Sequence, residues 1–205
     1  MRATSLAVLL LLLLVSIRPL AVAADPASVG APAPAFTLAD AAGKTRSLAE
    51  FRGRYVVLEW VNFGCPFVRK HYDSGNMQDL QRSYTSRGVV WLSICSSAPG
   101  KQGFFEGKEL RERIAGEKSS ATAYLVDMEG KIGQAYGAKT TPHMYIINPE
   151  GTLIYAGGID DKASTNKEDL KTAVNYVREA LNAALDGKPV KITNSRPYGC
   201  SVKYK

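Results

Sequence analysis

The sequence predicts an α/β domain with a mixed central sheet and helices on both faces. Two dense apolar stretches, Tyr55–Phe63 and Val89–Cys95, read as strands buried on both sides, the pattern of a sheet covered above and below. Amphipathic helical segments lie between the strand candidates, the spacing of parallel crossovers. Further on, His143–Asn148 and Thr152–Ala156 flank Pro149-Glu150-Gly151, the turn chemistry of an antiparallel hairpin.

The first residues read as a targeting segment. Arg2 precedes the apolar run Leu6–Val15, and Ala21-Val22-Ala23 offers small residues for cleavage, so residues 1–23 are expected to be a signal peptide. Arg18 and Pro19 interrupt the run and leave it short for a bilayer span of ~20 residues. No stable membrane insertion is expected after its removal; an uncleaved anchor is the competing reading. Without Arg2 and Arg18 the net charge falls from +7 to +5. The basic residues are scattered rather than clustered, so no nucleic-acid partner is expected. One domain is expected over residues 24–187, with 188–205 as a flexible tail carrying Cys200.

Within the domain, Asp25–Pro34 is a Pro/Ala-rich lead-in, and Phe36–Leu38 is a short strand before a turn at Ala42-Gly43-Lys44. Ser47-Leu48-Ala49-Glu50 has the form of a capping box, so a short helix is expected from there to Gly53. After the strand Tyr55–Phe63 a helix opens at Cys65, breaks over Asp73–Asn76, and resumes through Met77, Leu80 and Tyr84 towards Gly88. Residues 96–120 are polar and glycine-containing, with a helix near Lys108–Ile114, and read as an insertion over one edge of the sheet. Ala123–Asp127 is a short strand and Lys131–Tyr136 a short helix. The clearest helix is Lys167–Leu185, where Leu170, Val174, Val177, Leu181 and Leu185 form an apolar stripe ahead of Gly187.

The chemistry centres on Cys65. A strand that runs through a glycine into Cys-Pro at a helix start suits a thiolate, because the first N–H groups and the helix dipole stabilise the negative sulfur. Pro66 fits the first turn, where a missing N–H costs nothing. Arg69, on the same helix face, and Lys70 are candidates for lowering the thiol pKa further; a solvated helix surface is the equal alternative for both. The chain has 3 cysteines, Cys65, Cys95 and Cys200. In an oxidising compartment that count permits one internal disulfide and leaves one thiol over. Cys95 ends a strand and reads mainly as a core residue, but it is a rival partner for Cys65. A carboxyl group buried at Glu59, inside the apolar strand, would have a raised pKa; an acid paired with a lysine at a strand edge is the alternative. His71 and His143 are isolated and no cluster has zinc spacing, so no metal and no cofactor are expected.

Three stretches carry a resemblance to a known group: Gly64-Cys65-Pro66-Phe67-Val68, Lys139-Thr140-Thr141-Pro142-His143, and Tyr198-Gly199-Cys200. Together with the element order they resemble the thioredoxin superfamily, and more narrowly its exported redoxin branch related to peroxiredoxins of the AhpC/TSA type. The resemblance implies a thioredoxin-like fold across the chain after the targeting segment. It implies that Thr141-Pro142 is the cis-proline unit facing the reactive cysteine, offering its backbone to an extended peptide. It makes Glu59 the buried acid that moves a proton during disulfide exchange, and Cys200 a resolving cysteine of the two-cysteine peroxiredoxin kind. The flanking Lys191, Arg196, Lys203 and Lys205 are expected to favour the Cys200 thiolate; a static disulfide or an unpaired thiol at Cys200 is the alternative.

Two departures matter. Thioredoxins place a second cysteine three residues after the first, and here Val68 stands there, so a local pair is impossible. Peroxiredoxins carry Pro-x-x-x-Thr/Ser-x-x-Cys, and here Leu58 and Asn62 occupy the proline and hydroxyl positions. Three functions follow as expectations: a thiol-disulfide oxidoreductase using Cys65 and Cys200; a peroxiredoxin-like peroxidase with the same two residues; and a non-enzymatic binding module with a structural disulfide. The first two imply a disulfide-containing protein or a peroxide as substrate, a thiol electron donor, and an exported, periplasmic location.

Overall fold

The computed structural model describes residues 26–205; the expected signal peptide lies outside them. Seven strands form one sheet: β1 (Thr37–Asp40), β2 (Thr45–Ser47), β3 (Val56–Trp60), β4 (Val90–Cys95), β5 (Ala123–Val126), β7 (His143–Ile147) and β8 (Leu153–Gly157). Their order is β2-β1-β5-β4-β3-β7-β8. β3, β4 and β5 run parallel, and the flanking pairs are antiparallel, so the sheet is mixed as expected. A separate two-stranded ladder joins β6 (Thr140–Thr141) to β9 (Cys200–Ser201).

The alternation along β3 explains the layers. Val57 and Val61 enter a core shared with Tyr72, Leu80, Val177 and Leu181, while Val56, Leu58 and Trp60 enter a second core with Phe51, Ile94 and Tyr136. The first lies under α1 (Pro66–Asp73), α2 (Asn76–Thr85) and α5 (Tyr176–Leu185); the second lies under the short turn Leu48–Phe51 and α4 (Lys131–Tyr136). Covering both faces buries every residue of β3 and β4, which is why these strands read as continuous apolar runs. α3 (Gly107–Gly116) belongs to the 96–120 segment. Among the described residues, no helix is long and apolar enough to cross a membrane.

The last helix is shorter than its apolar stripe suggests. Lys167–Lys171 is a separate 3-10 turn, and α5 starts only at Tyr176. The backbone between them is diverted into tertiary contacts: Val174 N–H donates to Asp161 Oδ1 at 2.9 Å, and Asp161 N–H donates back to Val174 O at 3.2 Å. Val174, expected on the buried stripe, is 41% exposed. Asn175 then caps α5, its side-chain oxygen accepting from Arg178 N–H at 2.9 Å.

The segment after α5 lies along the domain. Ala156 N–H donates to Thr193 O at 3.0 Å, Val202 N–H to Lys139 O at 3.1 Å, and Tyr204 Oη to Ala138 O at 2.7 Å. Because Asn175 is a cap rather than a helix-interior residue, Asn175→Ala is expected to lower stability by about 1 kcal/mol in urea unfolding. A continuous helix through this point would instead gain stability from alanine.

Candidate active site

β3 delivers the site. The chain leaves Trp60 and turns tightly before α1, with Cys65 N–H donating to Asn62 O at 2.9 Å and Gly64 N–H to Asn62 Oδ1 at 2.8 Å. The 96–120 segment clamps this turn: Asn62 Nδ2 donates to Gln102 O, and Gln102 Nε2 to Gly64 O, each at 3.1 Å. Cys65 is the N-cap residue of α1, in an extended conformation, with Pro66 in the first turn.

Cys65 is buried, with 0% of its surface exposed. As a thiol it donates to Thr141 O at 3.1 Å. The Thr141–Pro142 bond is cis, and Thr141 stands opposite Cys200 in the β6–β9 ladder. Three stretches far apart in sequence therefore meet at one sulfur. Burial opposes ionisation of Cys65, but the Cys200 thiol, the N–H groups of Val68 and Cys200, and the Thr141 hydroxyl favour the ion and bring its pKa below 9.0. The Thr141 hydroxyl is buried and has no nitrogen or oxygen partner of its own. Cys200 is shifted the other way, pushed up to about 11 by burial and by the neighbouring Cys65 sulfur. The two thiols are thus shifted in opposite directions, Cys65 becoming the more acidic of the pair.

This corrects two expectations about charge. Of the basic residues around Cys200, Lys203 does favour its thiolate, but burial and Cys65 outweigh it. Lys205 is engaged with Glu129 at 2.7 Å. Nor do Arg69 and Lys70 serve Cys65. Arg69 is paired with Asp73 and, at 2.6 Å, with Glu117; Lys70 is buried, donating to Lys162 O at 2.7 Å beside Asp160. What lowers the Cys65 pKa is hydrogen-bond donation, not neighbouring cations.

Glu59 is buried at the centre of the sheet and is not a strand-edge acid paired with lysine. It accepts from Tyr72 Oη at 2.9 Å, Gln81 Nε2 at 3.1 Å, Trp91 Nε1 at 2.8 Å and Ser93 Oγ at 3.1 Å. Burial raises its pKa above 4.5 although all four donors oppose the rise. It contacts α1 through Tyr72 rather than through Cys65. Cys95 is buried, and its Sγ donates to Gly103 O at 3.4 Å. His143 is buried beside Tyr145, and burial lowers its pKa to about 4. His71, Asp160 and Tyr198 form a buried cluster next to the site that sequence reasoning missed as a unit; the motif Tyr198-Gly199-Cys200 was its only visible trace.

Removing the Cys200 S–H donor should raise the Cys65 pKa, so thiolate ultraviolet absorbance followed against pH is expected to shift upward in Cys200→Ala. An unchanged titration would contradict this cause of the lowered pKa. Glu59 predicts a pH dependence of stability. From 4.5 up to its own raised pKa, the native state keeps a proton that the unfolded chain has lost, so stability declines as pH rises through that window. Urea midpoints should show this decline in the wild type relative to Glu59→Gln; parallel profiles would contradict it.

Comparison with known proteins agrees with this geometry. Residues 29–156 match the AhpC/TSA family. The chain is 24% identical over 153 residues to the thiol-disulfide oxidoreductase ResA of Geobacillus thermodenitrificans, covering 74% of this chain and 79% of that protein. It is 29% identical over 162 residues to a Haemophilus influenzae protein named as a peroxiredoxin, Bcp, covering 75% and 98%. Among solved structures it resembles an uncharacterized conserved protein from Geobacillus kaustophilus, with TM-score 0.75, 24% identity and coverage of 88% and 94%. It also resembles the thioredoxin domain of a thiol-disulfide oxidoreductase from Bacteroides vulgatus, with TM-score 0.51, 19% identity and coverage of 71% and 96%. A thioredoxin-like fold, a cysteine capping a helix opposite a cis-proline, and a family match over most of the domain lead to one conclusion: the chain belongs to the AhpC/TSA family, a redoxin of the thioredoxin superfamily and a thiol oxidoreductase.

Proposed function

We propose that Cys65 is the nucleophile of a thiol-disulfide oxidoreductase and that Cys200 resolves its mixed disulfide. The observation that carries this reading is geometric: at a helix start Cys65 Sγ lies 3.1 Å from Thr141 O, and Thr141 pairs with Cys200 across the β6–β9 ladder. The Cys65 thiolate attacks one sulfur of a substrate disulfide, bonds to it and expels the other as a thiolate. Cys200 then loses its proton and attacks Cys65, forming the Cys65–Cys200 disulfide and releasing the second substrate sulfur as a thiolate. The substrate gains two electrons, and an external thiol donor restores the enzyme by two further exchanges. Once Cys65 is bonded to substrate its negative charge is gone, which removes one of the causes that hold the Cys200 pKa high. Resolution thereby becomes easier at the point when it is needed.

In this reading Thr141 and Pro142 present the backbone that faces the reacting sulfur. Glu59 is the buried acid that holds a proton behind α1, acting through the Tyr72 contact. The substrate is a disulfide-containing protein, the working compartment is the periplasm, and residues 1–23 direct export there; the signal-like composition of those residues supports this location.

A second reading takes a peroxide as oxidant. Cys65 would attack the O–O bond to give a sulfenic acid and release water or an alcohol, and condensation with Cys200 would release water. Family membership supports it. The polar groups around Cys65 favour it less: Asn62, at the position of the peroxiredoxin hydroxyl, has its amide committed to Gly64 and Gln102.

Mass spectrometry of reduced protein treated with oxidised glutathione or with hydrogen peroxide tests both. Oxidised glutathione should yield a Cys65–Cys200 link in the wild type, a trapped Cys65–glutathione adduct in Cys200→Ser, and neither product in Cys65→Ser. A link to Cys95, or no adduct at Cys65, would refute the assignment. Faster linkage by peroxide than by disulfide would favour the peroxidase, and a link that reductant cannot reverse would identify a structural disulfide.

A further inference from the structure

Cys200 meets Cys65 only if the segment carrying it is held down, and the structure contains a device for that. Tyr198, two residues earlier, is buried against α1, the helix that Cys65 caps. Its ring packs edge-on to Phe67 with centroids 5.9 Å apart, and Lys70 Nζ lies 5.4 Å from its centroid. Its hydroxyl sits 2.5 Å from Asp160 Oδ1 and 3.2 Å from His71 Nε2.

The partners fix the direction of every bond in this chain. Asn76 Nδ2 can only donate, and it lies 2.8 Å from His71 Nδ1, so that nitrogen accepts and Nε2 carries the proton. His71 Nε2–H then donates to Tyr198 Oη, whose own proton goes to the Asp160 carboxylate. Burial and the neighbouring Lys70 lower the His71 pKa to about 3, which keeps the ring neutral, as this tautomer requires. Asp160 also accepts from Lys162 N–H at 2.9 Å and faces Lys70 Nζ at 3.6 Å. Lys70, His71 and Asp160 are all buried, so the hydroxyl enters a desolvated, charge-assisted site. Between this anchor and Cys200 stands Gly199, at φ +138°, packed so that a Cβ there would come 2.0 Å from Thr141 O. The anchor and the glycine together leave the next residue, Cys200, opposite Thr141.

We infer that Tyr198, seated on Asp160 and His71, is a positioning residue: a latch that holds the C-terminal strand against Thr141 and so keeps Cys200 in reach of Cys65. The latch concerns where the strand sits and rests on the proposed Cys65–Cys200 reaction for its purpose. Because Cys65 has no exposed surface with the strand docked, its accessibility to a small alkylating agent reports directly on undocking.

Iodoacetamide labelling followed peptide by peptide tests this in a Cys200→Ser background, where no Cys65–Cys200 disulfide can form. Adding Tyr198→Phe removes a hydrogen bond to a buried carboxylate and should accelerate Cys65 alkylation about tenfold, with Cys95 labelling unchanged. Tyr55→Phe, which deletes a tyrosine hydrogen bond to Ala184 O away from the latch, should leave the Cys65 rate unaltered. With all cysteines present, Tyr198→Phe should slow formation of the Cys65–Cys200 disulfide under limiting oxidised glutathione. An unchanged Cys65 alkylation rate, or an equal rise at Cys95, overturns the latch. If the wild type forms no Cys65–Cys200 disulfide, the resolving role of Cys200 fails, while the labelling comparison still decides whether Tyr198 seats the strand.

Discussion

The active end of this molecule depends on the Thr141 peptide unit. Its carbonyl accepts the Cys65 thiol, and its residue pairs with Cys200. Cys65, the cis-proline unit and the C-terminal strand are therefore one arrangement. Holding two thiols in contact turns what would be a search by a long chain segment into a local step, and well-oriented partners of this kind reach effective concentrations far above those of free thiols. The same arrangement divides the acidity of the pair: the sulfur at the helix start receives donors and is the more acidic, while burial and its neighbour push the other up.

α1 is set between two buried polar systems, which accounts for the definition of this site. Tyr72 ties one side of the helix to the Glu59 hub inside the sheet. Lys70 and His71 tie the other to Asp160 beyond β8. Burying such groups is costly unless every one has partners, and removing a single partner from a buried charge costs roughly 3–5 kcal/mol. The helix that Cys65 caps therefore has few alternative positions. Surface ion pairs such as Lys108–Glu112 add little to this definition, because solvent screens them.

Much of the fold was legible in the sequence because its signals are local. The apolar runs at 55–63 and 89–95, the turn at 149–151 and the break at 73–76 each reflect short-range preferences that the structure keeps. The end of the chain was less legible. The stripe from Leu170 to Leu185 has helical period throughout, yet Val174 and Asn175 bond to the loop at Asp160–Asp161 and start the helix later. The influence of nearby basic residues on the two thiols is smaller than expected for a related reason: sequence proximity says nothing of whether a charge is outweighed by burial, as Lys203 is at Cys200, or already neutralised, as Arg69 is by Glu117 and Asp73.

The sequence by itself determined the sheet, the helix opening at Cys65, the absence of a local cysteine partner at Val68, and the resemblance that drew Thr141, Pro142 and Cys200 into one site. These rest on hydrophobic period, capping chemistry and motif spacing, all written along the chain. Only the tertiary structure decided which cysteine is brought to the Thr141 unit beside Cys65, which of the two thiols is the more acidic, that Glu59 is bound by four donors, and that Tyr198 enters a buried site formed by His71 and Asp160. Burial and hydrogen-bond partnership control those outcomes, and both depend on residues far apart in sequence being brought together when the chain folds.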